Sequence, residues 1–195
     1  MTGSFASWIV QGYLAPQKSV RQLLDANHGW DVAALLMLLG YLIGAIAILI
    51  ISPESASKGG LVGHIGGIIS TAIQFMITTF LVLVLGKMAG GTGTLPQALL
   101  AMGWYTFVSS FLFPLVVKPM NQLALAMSEA TATGAPPEID GGSLFLAMFA
   151  GMTSIWLFAN AVAALHGFRS LWGVLGVVMG IPMAIAVLAV LGAGG

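Results

Sequence analysis

The chain has 195 residues, of which 58% are hydrophobic and 6% are charged, and its mean hydropathy is +1.02. Six basic and six acidic residues leave no net charge, so the sequence offers no basic patch for binding nucleic acid. It contains no cysteine, which excludes disulfides, thiolate metal sites, a cysteine nucleophile and lipid anchors on cysteine.

Residues 1–31 are predicted to form an amphipathic N-terminal segment at the membrane surface. Apolar residues recur there at helical spacing, and a second short helix is predicted from Ser19, where Ser19 and Gln22 fit a capping box. Two interpretations of the segment are compatible and weigh equally: it lies at headgroup depth, or it packs across one end of a helix bundle. The side chains expected to contact the membrane interface or a partner are Trp8, Tyr13, Lys18 and Arg21.

Residues 32–195 hold five apolar runs that are separated by polar residues. Each run has about 20 residues or more, the length that an α-helix needs to cross a hydrocarbon layer of roughly 30 Å. No run contains Asp, Glu, Lys or Arg, whereas a helix on a soluble protein has a charged face. The sequence therefore predicts an all-α, polytopic membrane bundle of five transmembrane helices. Their ranges are 32–51, 61–85, 95–117, 143–165 and 171–191.

The connections between the spans are short except for one. Residues 52–60 contain Ser-Pro and Gly-Gly and are predicted to form a turn. The third span follows a Gly-rich turn, and Thr94 with Gln97 is typical of a capping box at its start. In the long connection, residues 119–130 are predicted to extend a helix, and residues 131–142 are predicted to be irregular.

The distribution of Lys and Arg predicts the orientation of the chain in the membrane. A cytoplasmic N-terminus puts four basic residues on the cytoplasmic side and two on the far side, which favours a cytoplasmic N-terminus and a C-terminus on the far side. The four are Lys18, Arg21, Lys87 and Arg169, and the two are Lys58 and Lys118.

Three spans carry pairs of glycines four residues apart. Water expulsion does not draw helices together in lipid, so small residues that allow close backbone approach take over that role. We expect these glycines to pack helices tightly, with packing inside the chain favoured over packing against a second copy. They are Gly40 and Gly44, Gly63 and Gly67, and Gly176 and Gly180.

The second span has the most polar face, on which Ser70, Gln74 and Thr78 lie; Asn160 is a second deep amide, in the fourth span. An unsatisfied amide at mid-membrane is costly, so Gln74 is expected to face the bundle interior, a partner chain or a water pocket. A hydrogen bond to another span is favoured over a transport site. The partners considered are Asn160, Thr153, Ser109 and Ser110.

The sequence lacks the residue patterns of membrane enzymes. No Asp or Glu lies inside a span, and the three histidines, His28, His64 and His166, show no metal-ligand spacing. They are expected to be interfacial or capping residues. We therefore expect no catalytic residue, no cofactor and no metal site. Coupled transport usually needs a buried ionisable group, and none is evident at mid-membrane.

Three segments resemble the Yip-domain (Ypt/Rab-interacting) family of integral membrane proteins. The segment LAPQKSVRQLL at 14–24 is similar to the family's opening, in which a proline is followed by an arginine and a pair of leucines. The segment GTGTLPQAL at 91–99 is similar to the family's Gly-rich turn before helix three. ALHGFRS at 164–170 is similar to the His-Gly-basic turn between its last two helices. The resemblance covers about residues 14–191, and its motifs are structural turns that carry no functional residue.

The resemblance implies five membrane helices, a cytosolic N-terminus and a non-enzymatic role. Eukaryotic members are linked to membrane trafficking, Rab-type small GTPases and partner membrane proteins. The short chain resembles bacterial members, which implies the cytoplasmic (inner) membrane of a bacterium.

The expected function is a membrane-organising scaffold or an accessory subunit of a larger membrane complex. Its expected partners are the lipid bilayer and other membrane proteins or a second copy, and no nucleic acid. The alternative is a small transporter or channel component that uses the polar face of the second span as its path.

The predicted topology can be tested with a single introduced cysteine, since the chain has none of its own. Ser57→Cys, between the first two spans, is expected to react with an impermeant thiol reagent from the far side of the membrane. Labelling from the cytoplasmic side only would contradict this orientation.

Overall fold

The computed structural model describes residues 5–26, 28–51, 53–134 and 140–176. All regular secondary structure in these ranges is α-helical, as predicted. Residues 171–176 are also helical and follow a short turn. The seven longer helices in these ranges are α1 (Phe5–Leu14), α2 (Pro16–Asp25), α3 (Trp30–Ile51), α4 (Pro53–Met88), α5 (Leu95–Ser110), α6 (Phe113–Thr133) and α7 (Gly141–His166).

Three helical segments are long and apolar enough to cross a bilayer: Trp30–Ile51, Ile65–Met88 and Gly141–His166. The pair Leu95–Ser110 and Phe113–Glu129 counts as a fourth span if the two act together across a bend of 63°. The prediction of five spans is therefore met only in part within the described residues. The fifth predicted span, 171–191, lies outside them from residue 177 onwards.

The predicted turn at 52–60 is wrong from Pro53 onwards, because residues 53–60 belong to α4. Proline is well suited to the first position of a helix, where its N–H would have no helical partner and its fixed φ matches the helix. Pro53 therefore starts α4, and the Gly-Gly pair that follows does not end it. The most apolar part of this helix begins only at Ile65.

The predicted third span, 95–117, is interrupted at Phe111 and Leu112. Pro114 has no N–H, so the carbonyl of Ser110 loses the donor that a continuous α-helix would supply. The helix ends before the proline and restarts as α6, with the proline in its first turn. The break between α5 and α6 therefore begins three residues upstream of Pro114.

Two local predictions near this break are confirmed. The side chain of Gln97 accepts a hydrogen bond of 3.0 Å from the backbone N–H of Thr94, as the predicted capping box requires. Residues 119–130 are helical, as predicted. They belong to α6, and Pro119 lies inside that helix.

The N-terminal segment forms α1 and α2, and α2 packs against α5 and α7. The capping box predicted at Ser19 is wrong, because α2 starts at Pro16 and buries Ser19 within the helix, with 1% of its surface exposed. The proline again sets the start of the helix. Val20 and Leu23 are buried on the same face, so the segment packs across the bundle as one of the two interpretations held.

The closest packing in the bundle is between α3 and α5. A Cβ atom on Gly40 of α3 would lie 2.9 Å from the carbonyl oxygen of Thr106, and a Cβ on Gly103 of α5 would lie 2.9 Å from that of Ala33. Each helix therefore presents a glycine to the backbone of the other. Such contacts supply van der Waals attraction where lipid removes the hydrophobic driving force.

Capping groups define both ends of α7. The carboxylate of Asp140 accepts hydrogen bonds from the N–H groups of Gly142 and Ser143 and from the Ser143 hydroxyl. The bond from the Ser143 hydroxyl is the largest of several hydrogen bonds that hold the pKa of Asp140 below its usual range. At the other end, Gly167 adopts the left-handed conformation with φ of 69° and terminates the helix.

We expect Gly40→Ala to lower the stability of the protein and Gly44→Ala to leave it unchanged or raise it. At Gly40 the added methyl meets the α5 backbone and should cost about 1–3 kcal/mol. At Gly44 the nearest atom is a side-chain carbon of Phe113 at 3.9 Å, so the higher helix propensity of alanine should leave stability equal or raised. Thermal unfolding in detergent measures both, and equal midpoints would contradict the role of the α3–α5 contact.

Candidate functional site

A cavity of about 840 Å³ lies between α3, α4, α5, α6 and α7, beside the break that separates α5 from α6. Its walls are mainly apolar, and none of the lining residues that the structure describes carries a charge. Several of them carry hydroxyl groups instead: Tyr41, Thr71, Thr106, Ser109, Ser110 and Ser154.

The hydroxyl groups at the end of α5 are already donors to their own helix. The Ser109 hydroxyl donates to the Thr106 carbonyl at 3.3 Å, and the Ser110 hydroxyl donates to the Phe107 carbonyl at 2.7 Å. Such bonds to the preceding turn help to bend a helix, here just before the break. Each serine oxygen keeps lone pairs that can accept a further hydrogen bond.

A second hydroxyl pair joins α5 to α7. Tyr105 and Ser154 lie 2.9 Å apart, oxygen to oxygen, so one hydroxyl donates to the other and one proton remains for another acceptor. The Tyr105 ring also meets Phe158 edge-on, with centroids 5.2 Å apart. Tyr105 was not singled out in the sequence, because nothing in its spacing tells which helix it faces.

The glycines predicted to pack helices divide into two groups. Gly40 lies against the α5 backbone, and a Cβ on Gly67 would lie 2.7 Å from the Tyr41 hydroxyl. Gly44 and Gly63 instead line the cavity and have little or nothing near them. The Gly176 position has no atom within 4 Å, and Gly180 lies outside the described residues.

The predicted polar residues are not brought together. Ser70 and Gln74 lie on the exposed surface of α4 and do not line the cavity. Asn160 is buried in α7, where its side-chain amide donates to the Trp156 carbonyl at 2.8 Å. The expected bond from Gln74 to another span is not found among the described residues. The four partners considered for it bond to carbonyls of their own helices.

Thr78 lines a different feature, a groove of about 650 Å³ between α4, α7 and residues 168–174. The groove is almost wholly apolar, with Arg169 and Ser170 among its lining residues. The polar face predicted for the second span is therefore divided between a groove and the outer surface. It does not form one continuous path in the described part of the chain.

His166 holds the ends of α4 and α7 together. Its Nε2 donates to the Val82 carbonyl at 3.2 Å, while Nδ1 is buried without a partner. The ring fills a space left by Gly86, Gly91 and Gly93, where any Cβ atom would collide with His166 or its neighbour Leu165. Sequence analysis predicted only an interfacial or capping role for this histidine, because the three glycines converge on it through tertiary packing.

The N-terminal residues predicted to contact the interface or a partner have different environments. Trp8 stacks at a tilt on Phe107, with centroids 5.9 Å apart, and the Tyr13 hydroxyl donates to the Val108 carbonyl at 2.6 Å. Burial raises the pKa of Tyr13 to about 12, so the hydroxyl stays protonated and keeps donating. Lys18 and Arg21 are exposed.

Within the described ranges, no three His, Asp or Glu side chains cluster as ligands for a metal ion. The cavity offers hydroxyl oxygens and apolar surface, a combination that suits the binding of a neutral molecule.

Comparison with known proteins identifies a family for the chain. A family model described as the Yip1 domain matches residues 12–193, nearly the whole chain. No curated protein and no solved structure matches the chain. The matched range contains the helices that form the cavity and the glycines around His166.

The histidine contact predicts that Gly86→Ala destabilises the protein by about 1–3 kcal/mol, because its methyl overlaps the His166 ring. The same change at Gly66, which has no atom within 4 Å, is the control and should be neutral or stabilising. In a His166→Ala background the Gly86 change should cost far less. Additive effects in thermal unfolding would show that the two residues do not interact.

Proposed function

The chain belongs to the Yip1-domain family of integral membrane proteins, and from this premise we propose that it acts as a non-enzymatic membrane organiser or accessory subunit. It does so by docking another membrane helix, from a partner protein or a second copy, on the outer face of α4. One observation carries this proposal: Gln74 lies on that exposed face.

Gln74 is near the middle of the candidate span Ile65–Met88 and is surrounded by apolar side chains on the outer surface. Ile73 and Ile77 beside it each expose 56% of their surface. Within the described chain the Gln74 amide has no hydrogen-bond partner, and hydrocarbon supplies none. An amide left in lipid costs several kcal/mol, so a docked helix with polar groups would relieve that cost.

Ser70 lies one turn before Gln74 on the same face and is also exposed. A small residue beside a polar one is the combination that lets a second helix come close and form interhelical hydrogen bonds. The face is therefore suited to a membrane helix with small and polar residues. A small GTPase is not needed for this contact, and only the eukaryotic relatives imply one.

The proposal places the protein in a bacterial inner membrane with its N-terminus in the cytoplasm. Lys18 and Arg21 support this orientation, because both are exposed on α2, where they can meet anionic headgroups. The buried face of α2 meanwhile fixes the segment to the bundle.

A small transporter or channel component is the second candidate, and the cavity between five helices favours it. Its lining would provide the path, through Thr71 and Ser154 rather than through Ser70 and Gln74. Charged solutes are poor candidates for that path, since no described lining residue is charged to replace their hydration.

We expect Gln74→Leu to weaken the complex that the protein forms in native membranes. A hydrogen bond between membrane helices is worth about 0.6–2 kcal/mol, which corresponds to about a 3- to 30-fold loss of association. The measurement is recovery of the complex in gentle detergent, with its mass distinguishing a second copy from a different protein.

Phe80→Leu is the matched control, because Phe80 is 61% exposed on α4 but lies about 120° around the helix from Gln74. It should leave the complex intact. A wild-type protein that is monomeric and alone would contradict the docking role. A flux of a small neutral solute through pure protein in liposomes, abolished by Thr71→Leu, would favour the transport candidate instead.

A further inference from the structure

The cavity beside the α5–α6 break has the size of a ligand site. Its volume of about 840 Å³ is within the range of roughly 300–1,000 Å³ that is typical of pockets for small organic molecules. Gly63 and Gly151 lie in its wall with no atom within 4 Å of their Cβ positions, so no side chain of the described residues fills the space there. An empty apolar space of this size would forfeit the dispersion contacts of its walls.

The two serines at the end of α5 offer hydrogen-bond acceptors to the cavity. The hydroxyl protons of Ser109 and Ser110 are used within α5, which leaves their oxygen lone pairs. The Ser110 carbonyl has also lost its helical donor, because Pro114 has no N–H. A molecule that satisfies these oxygens must therefore donate hydrogen bonds.

The described lining has no charged side chain, which disfavours ionic ligands. None of the described lining residues is Asp, Glu, Lys, Arg or His, so a phosphate or an ammonium group placed there would lose its hydration without a compensating partner. The remaining ligand is neutral, has free hydroxyl groups and has a long apolar part.

We propose that the cavity binds a neutral acylglycerol. Its free hydroxyl donates to the serine oxygens at the end of α5, and its acyl chain lies along the wall that contains Gly63 and Gly151. The site is separate from the docking face of α4, since Gln74 does not line the cavity. The two proposals therefore stand or fall independently.

The test uses the purified full chain in liposomes that contain a diacylglycerol with a photoreactive group in its acyl chain. The label should attach to peptides of α3, α5 or α7 that line the cavity. Gly151→Leu fills the space and should lower labelling roughly tenfold or more. Gly141→Leu is the control: it lies on the same helix, has no atom within 4 Å and is outside the cavity, so labelling should not change.

A second pair of variants covers the case in which Gly151→Leu does not fold. Ser109→Ala removes an accepting oxygen from the cavity and should lower labelling. Thr153→Ala removes a hydroxyl that is likewise bonded to its own helix, to the Phe149 carbonyl, but does not line the cavity, so it should not. Equal labelling of the paired variants would overturn the proposal. So would a photoreactive phosphatidylglycerol that labels the same peptides as strongly as the diacylglycerol.

Discussion

The approach of α3 to α5 at backbone distance is the contact on which the rest of the bundle depends. Gly40 and Gly103 face the carbonyl oxygens of the opposite helix, and neither position has room for a methyl group. In a membrane the apolar side chains of a helix are equally well solvated by lipid, so association relies on this kind of close fit. The pair places the large buried side chains of α5, Trp104 and Phe107, toward the N-terminal helices.

The close contact between α3 and α5 is followed, one turn further along α3, by open space. One turn along α3 from the tight contact, Gly44 has only the edge of Phe113 nearby, and α5 ends at the level where the cavity begins. Because Pro114 prevents the helix from continuing, the chain turns by 63° and leaves the helices around it unfilled. The cavity therefore forms where the helix break before Pro114 lies next to glycines of the surrounding helices.

Three parts of the described bundle differ in chemistry. The interior cavity is neutral and rich in hydroxyl groups. The outer face of α4 presents an amide to lipid, which favours another helix. The end where α4 meets α7 is fixed by the ring of His166 among glycines, and it joins two segments that resemble the family's turns. Packing at this end therefore depends on the fit of one ring among three glycines.

The sequence by itself determined the membrane class and the all-α architecture, because these depend on the length and apolarity of contiguous runs. It indicated the family through the segments at 14–24, 91–99 and 164–170. It also determined the cap at Thr94 and Gln97, which needs only residues three apart. It did not determine the break before Pro114, the burial of Ser19, or which way Gln74 points. Helical periodicity tells which residues share a face, but the rotation of each helix against its neighbours decides what that face meets. Gly40 and Gly44 are therefore alike in sequence, and only the tertiary structure makes one a contact and the other a wall of the cavity.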